Sequence, residues 1–287
     1  AFDLMIVLGA DVLRMSVWDD VDPMPTALPI IQIGLNDWEM GKNYPTEIAL
    51  GSDIRETLRA LTPVLKETGG ADLDALAKER VKALSNKNWS TKRAKLIQKI
   101  SNQGSGAPIN PDWLMLQLTE ALPSDTIIVN EGLTAARFFN DLWPYRERHD
   151  YHGLASGGIG WGMGAAVGVQ LAHPDRPVCA IIGDGSSMYS IQALWTAANH
   201  KLPLTYIIPN NGGYRIIKQR LVAFHHNDHF IGMDFKNPKV DFTALAMSMG
   251  VEAQRIEDPL DLRAALDSAF TNKKGPNLIE VMCDSSL

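Results

Sequence analysis

Short, nearly continuous apolar runs alternate along the chain with longer amphipathic stretches. Val178-Cys179-Ala180-Ile181-Ile182 follows Pro177, and Leu204-Thr205-Tyr206-Ile207-Ile208 follows Pro203. Neither run shows the strict apolar/polar alternation of a strand with one wet face, so both predict strands buried on both sides, as in a parallel sheet. Residues 4–8, 29–33 and 47–50 read as further strands, and Asp53 caps a helix predicted over 53–66. Pro111 is placed to open another helix. A helix is expected over 189–200, with Ser186-Ser187 as its cap. The fold class that follows is α/β, a parallel sheet with helices on both faces.

Domain organisation follows from where the pattern breaks. Residues 1–66 alternate strand and helix. Residues 67–105 are polar and basic, with Lys87, Lys92, Arg93, Lys95 and Lys99 on expected helices, a charge run that reads as a solvated face. Ser101-Asn102-Gln103-Gly104-Ser105-Gly106 is a linker signal, and residues 106–287 form the main domain. The first residues lead straight into an apolar strand without an initiator Met or a signal sequence, so the chain is expected to be a fragment, a processed chain or one half of a longer protein.

Composition narrows the function classes. A formal net charge of −6 argues against nonspecific nucleic-acid binding, and no apolar run approaches membrane-spanning length. With only two cysteines, Cys179 and Cys283, both on expected buried strands, reduced thiols and a cytoplasmic setting are expected rather than a disulfide framework.

Candidate chemistry lies at two strand ends. Gly183-Asp184-Gly185-Ser186 closes the first apolar run and Asn210-Asn211-Gly212-Gly213 closes the second. Adjacent parallel strands of a strand–helix–strand unit bring such endings together at the carboxyl edge, where ligands of open α/β sheets collect. A hard cation such as Mg²⁺ takes oxygen ligands, one or two from protein carboxylates and the rest from phosphate and water. The Asp184 carboxylate, the Asn211 amide oxygen and a backbone carbonyl near Gly213 would supply half the shell, and Gly183, Gly185, Gly212 and Gly213 would let the backbone approach a diphosphate closely. Turn chemistry at two strand ends is the plain alternative.

These residues resemble the signature of the thiamine diphosphate (ThDP) enzymes related to acetohydroxyacid synthase, pyruvate oxidase and benzoylformate decarboxylase. The stretch from Gly183 to Ala198 is most similar to the benzoylformate decarboxylase branch, and the resemblance continues through Gly157-Gly158-Ile159-Gly160 and Pro276-Asn277-Leu278-Ile279-Glu280-Val281. It implies the following roles. Asp184, Asn211 and Gly213 hold the metal, while Ser186 and Tyr189 line the diphosphate pocket. Leu133 and Thr134 reach the diphosphate from a neighbouring strand end. The Gly157 carbonyl accepts from the aminopyrimidine, and Ile159 props the cofactor into its bent shape. Tyr214, Ile216 and Ile217 follow the metal loop where relatives wall the substrate pocket. Residues 1–66 resemble part of the family's central domain.

The implied reaction is ThDP- and Mg-dependent decarboxylation of a 2-oxoacid, or carboligation of the resulting aldehyde unit, in a homodimer or homotetramer. The family's catalytic glutamate belongs to an amino-terminal pyrimidine-binding domain that this chain does not contain; Glu131 and Glu280 are the candidates within it. Where the benzoylformate branch carries a substrate-facing histidine, the stretch from Gly9 to Ser16 places Ser16, which cannot supply an imidazole's proton. His225 and His226 are the candidate catalytic residues, and His225 and His229 would share a face in a helix. Two rival readings remain open. Gly160-x-Gly162-x-x-Ala165, with Asp184 at a downstream strand end, fits a relaxed NAD-type dinucleotide fingerprint. A non-catalytic ThDP-binding module is the other.

Overall fold

The computed structural model describes residues 2–13, 20–25, 27–155 and 157–287; Ser16 lies outside them. The chain divides into two compact units, residues 1–85 and 86–287. In the first, β1 (Met5–Leu8), β2 (Ile30–Gly34) and β3 (Ile48–Gly51) form a parallel sheet in that order. The following helix, α1, spans Ile54–Leu84, and the Asp53 carboxylate caps it by accepting from the Glu56 amide at 3.0 Å. It therefore runs well beyond residue 66. Gly70, at φ 53° and ψ −150°, breaks the helical geometry inside it, so the Gly69-Gly70 pair makes a kink and not an end.

The second unit opens with α2 (Trp89–Gln103) and α3 (Pro111–Ala121). Pro111 sits in the first turn of α3, and the Asn110 side chain accepts from the Asp112 amide. Then come β4 (Ile127–Glu131), α4 (Phe139–Leu142), β5 (Tyr151–Gly153), α5 (Trp161–Ala172) and β6 (Val178–Ile182). They are followed by α6 (Asp184–Ser187), α7 (Ala193–Asn199), β7 (Leu204–Asn210), α8 (Arg215–His225), α9 (Phe242–Ser248), β8 (Glu252–Ile256), α10 (Leu262–Thr271) and β9 (Asn277–Met282). The six strands are all parallel, in the order β5-β4-β6-β7-β9-β8.

Alternate residues of each central strand feed two cores. Cys179, Ile181, Ile207 and Ile279 pack with Leu114, Leu118, Leu142 and Leu266 from α3, α4 and α10. Val178, Ala180, Ile182, Tyr206 and Ile208 pack with Met163, Ala166, Leu194 and Phe242 from α5, α7 and α9. Helices thus cover both faces, which is why the strand sequences are apolar throughout. The chain leaves β4 for the outer edge at β5 and returns past it to β6, so successive connections diverge above β4 and β6. This is the topological switch point at which open α/β sheets bind ligands.

One further local expectation is corrected. The segment after Asp184 is a single turn, α6, and the next helix begins at Ala193 with no side-chain cap; the Ser187 hydroxyl turns inward instead, donating to the Gly183 carbonyl at 3.0 Å. The segment around Tyr151, which lacks an apolar run, contributes a three-residue edge strand pairing with β4. Among the described residues, no helix is long and apolar enough to cross a membrane.

Candidate active site

The ends of β4, β6 and β7 surround one cleft, lined by Gly132, Leu133 and Thr134 after β4, by Gly183 through Ser186 after β6, and by Asn211, Gly213, Tyr214, Ile216 and Ile217 after β7. Ile159 closes it from the α5 side. Asp184 is its buried centre, at 3% exposure. Its Oδ1 accepts from the Gly185 amide at 2.9 Å, and its Oδ2 accepts from the amides of Gly212 at 2.8 Å and Gly213 at 3.1 Å. Burial dominates its titration and pushes it up to about 6, against the pull of the Gly185, Gly213, Gly212 and Asn211 amides. A cation beside it would favour the ionised form further.

The loop after β7 can take this shape only with glycine. A Cβ on Gly213 would stand 2.2 Å from the Met233 carbonyl oxygen, and Gly212 has φ +75°. Residues 233–235 clamp the loop: the Phe235 amide donates to the Gly212 carbonyl at 2.8 Å and the Tyr214 amide to the Met233 carbonyl at 3.0 Å. Lys218 pairs with Asp234 at 2.6 Å. Gly185 leaves room for the Tyr214 ring, which a Cβ there would meet at 2.7 Å, and that ring lies edge-on to Phe235. Burial raises the Tyr214 hydroxyl pKa, and a hydrogen bond shared with Tyr189 raises it further. After β4, Leu133 takes a left-handed backbone, φ 45°, unusual for a bulky side chain and placed at the rim of the cleft.

Two sequence profiles match the chain. The profile of the thiamine pyrophosphate enzyme C-terminal TPP binding domain covers residues 132–281, and that of the central domain covers residues 1–61. The chain belongs to the thiamine pyrophosphate enzyme family. Thiamine pyrophosphate is the cofactor named ThDP above, and the cleft lies within the cofactor-binding match. The chain is 33% identical over 279 residues to the benzoylformate decarboxylase of Pseudomonas aeruginosa, covering 97% of this chain and 48% of that protein. It is 26% identical over 287 residues to the acetolactate synthase isozyme 1 large subunit of Escherichia coli, covering 99% and 47%. Among solved structures, the ThDP-dependent 4-hydroxybenzoylformate decarboxylase of Rhodococcus jostii RHA1 superposes with a TM-score of 0.78 at 29% identity, covering 98% of this chain and 49% of that one. The chain spans about half the length of the relatives it matches.

For a member of this family, the donor set suits a diphosphate-bound divalent cation: a buried carboxylate, an amide side chain and carbonyls at glycines, without thiolate or imidazole. Of the residues singled out from the sequence, Leu133, Thr134, Ile159, Gly183, Asp184, Gly185, Ser186, Asn211, Gly213, Tyr214, Ile216 and Ile217 line the one cleft. Tyr189 stands beside it, largely exposed and bonded to Tyr214. Gly157 is exposed and outside the lining. His225 ends α8 and His226 is its left-handed C-cap; both are exposed and outside the lining, and His229 lies beyond the helix, so it shares no helical face with His225. No cluster of three or more metal-ligating side chains occurs among the described residues.

The two candidate glutamates have other partners. Glu131, buried at the end of β4, accepts from the Gly160 amide and, at 2.7 Å, from the Gly162 amide, so it caps the start of α5. A Cβ on Gly162 would lie 2.8 Å from the Glu131 Oε2 and 2.5 Å from Ile182 Cδ1. The glycine fingerprint thus admits a carboxylate and a strand side chain. With the Gly160 and Gly162 amides taken by Glu131, that helix end offers a dinucleotide pyrophosphate fewer donors, which counts against the dinucleotide reading. Glu280 is fully buried, accepting from Asn210 Nδ2 at 2.7 Å and from Arg255 Nε at 2.8 Å. Sequence reasoning missed Gly132 and Arg215, both of which line the cleft; the Arg215 Nε donates to the Ser286 carbonyl at 2.7 Å. Only the adjacency of Arg215 to Tyr214 could have drawn attention to it.

Proposed function

We propose that the cleft binds the diphosphate of ThDP through Mg²⁺, and that the protein containing this chain decarboxylates a 2-oxoacid, joins the resulting aldehyde unit to a second carbonyl, or does both. The observation that carries the reading is the Asp184 carboxylate, buried and held by loop amides at the meeting point of three strand ends. In this reading Asp184, the Asn211 side chain and the Gly213 carbonyl hold the cation, and Leu133, Thr134 and Ser186 meet the diphosphate. Ile159 and Tyr214 exclude water and fix the orientation of the bound molecule. When bound, ThDP would supply a carbon nucleophile and an electron sink for the decarboxylation. The chain contributes binding and orientation.

The domain division that accompanies this reading is 1–66 as part of a central domain, 67–105 as a helical linker and 106–287 as the diphosphate- and Mg-binding domain. A pyrimidine-binding domain would complete the site, in a cytoplasmic homodimer or homotetramer. Calorimetric titration of ThDP into the complete protein, with and without Mg²⁺, tests the reading alongside Asp184→Asn. Binding that requires Mg²⁺ and is lost in the variant supports it. A folded parent protein that binds no ThDP, or binds it equally well without a divalent cation, overturns it.

A further inference from the structure

A chain of hydrogen bonds runs across three neighbouring strands into the loop after β7. Asp241, the N-cap of α9, pairs with an Arg255 terminal nitrogen at 2.8 Å, and the Arg255 Nε reaches Glu280 Oε2 at 2.8 Å. The other Glu280 oxygen accepts from Asn210 Nδ2 at 2.7 Å. Asn210 Oδ1 then accepts from the Gly212 amide at 2.9 Å, the same amide that donates to Asp184. Glu280 is opposite Arg255 in the register of β8 and β9, and both Glu280 and Asn210 are buried.

A carboxamide is nearly symmetric in shape but not in chemistry, since one end donates and the other accepts. The Gly212 N–H can bond only the oxygen end of Asn210, and that Asx turn holds firmly only if the amino end has an acceptor of its own. A carboxylate can only accept, so Glu280 draws the amino end of Asn210 toward itself and leaves the oxygen for Gly212. The Arg255 guanidinium, bonded through Nε to Oε2 at 2.8 Å, holds Glu280 fixed in that role. A buried carboxylate otherwise carries a large desolvation cost, and three strands arranged to hold one beside the loop call for a reason beyond packing.

We infer that Glu280 is a positioning residue: through Asn210 it fixes the geometry of the Gly212-Gly213 loop, and so the placement of Asp184 and Asn211 for the cation. This rests on the cofactor reading above. Glu280→Gln is the sharp perturbation, because it keeps shape and volume while adding a donor that lets the Asn210 amide turn over and present its amino end to the Gly212 N–H. In the complete protein, Glu280→Gln raises the Mg²⁺ concentration for half-maximal ThDP binding about ten-fold, the size expected for losing one charged hydrogen bond. Amide exchange in residues 210–214 quickens in the cofactor-free protein. Asp150→Asn, which breaks the buried pair of Asp150 with Arg176 (2.8 Å) at the opposite edge of the sheet, moves neither readout.

Asn210→Ala combined with Glu280→Gln adds little to either alone, as expected for members of one chain of bonds. If Glu280→Gln does not fold, Arg255→Lys, which keeps the charge and loses the fork, carries the same test. Unchanged Mg²⁺ dependence and exchange, or effects of the two substitutions that simply add, overturn the inference. Absence of Mg²⁺-dependent ThDP binding by the parent protein would instead sink the cofactor reading itself.

Discussion

Glu131 ties two walls of the cleft together, and removing its carboxylate measures that tie. The side chain ends β4 and accepts from the amides of Gly160 and Gly162, so it links the segment carrying Leu133 to the turn carrying Ile159. At 2% exposure there is little solvent to replace it. Glu131→Ala strands two buried donors, each costing about 1–3 kcal/mol, so unfolding free energy should fall by about 2–6 kcal/mol. Glu131→Gln keeps one acceptor and turns an amino group toward the second donor, so it should fall between parent and alanine variant.

Urea unfolding gives the free energy, with an unchanged slope expected if the native surface is conserved. Hydrogen exchange gives the local account: the Gly160 and Gly162 amides should lose protection before the β6 amides do. A Glu131→Ala protein within about 0.5 kcal/mol of the parent, the ordinary range of surface substitutions, would refute the capping role. So would a variant that retains full stability while losing turnover, since that pattern belongs to a group acting in the chemistry.

Three further outcomes are expected. Gly213→Ala drives a Cβ to 2.2 Å from the Met233 carbonyl, so the backbone must move; thermal unfolding should show a loss of about 1–3 kcal/mol, and an unperturbed melting point would refute the clamp. Burial alone would raise the Asp150 carboxyl, but the Arg176 guanidinium and the Arg146 and Glu147 amides outweigh it and hold the pKa below its ordinary 3.8. That contribution is present above 3.8 and is lost as pH falls through the lower folded value, so Asp150→Asn should reduce stability at neutral pH and flatten the acid limb of the stability–pH curve; a parallel curve would refute it. Cys179 and Cys283 are buried, and burial pushes both thiols up, so a thiol reagent should label the folded protein only as fast as it opens; rapid labelling of either would contradict the fold.

The strands and the acidic turn were legible because burial on both faces leaves a local record: Val178 to Ile182 is apolar throughout and delivers Asp184 directly. Local helix-start chemistry was also readable, at the Asp53 cap and at Pro111. The helix expected to stop at residue 66 instead runs on through Gly70 with a kink. Ser186-Ser187 looked like a cap, yet the Ser187 hydroxyl is taken by the carbonyl four residues back. The partners of Glu131 and Glu280 were out of reach, because they lie 25 to 70 residues away along the chain and meet only once the strands are in register. The same holds for Arg215, whose neighbour Ser286 comes from the far end of the sequence.

The way Asp184 is held restricts how it can greet an ion. A carboxylate offers about four lone-pair sites, two on each oxygen. Oδ2 already serves the Gly212 and Gly213 amides and Oδ1 the Gly185 amide, with the Asn211 amide pulling on the carboxylate as well. A cation arriving at the cleft would therefore find much of the acceptor capacity of Asp184 already committed to the loop. The loop amides act as a rule of valence, leaving the rest of an octahedral shell for other oxygens to fill.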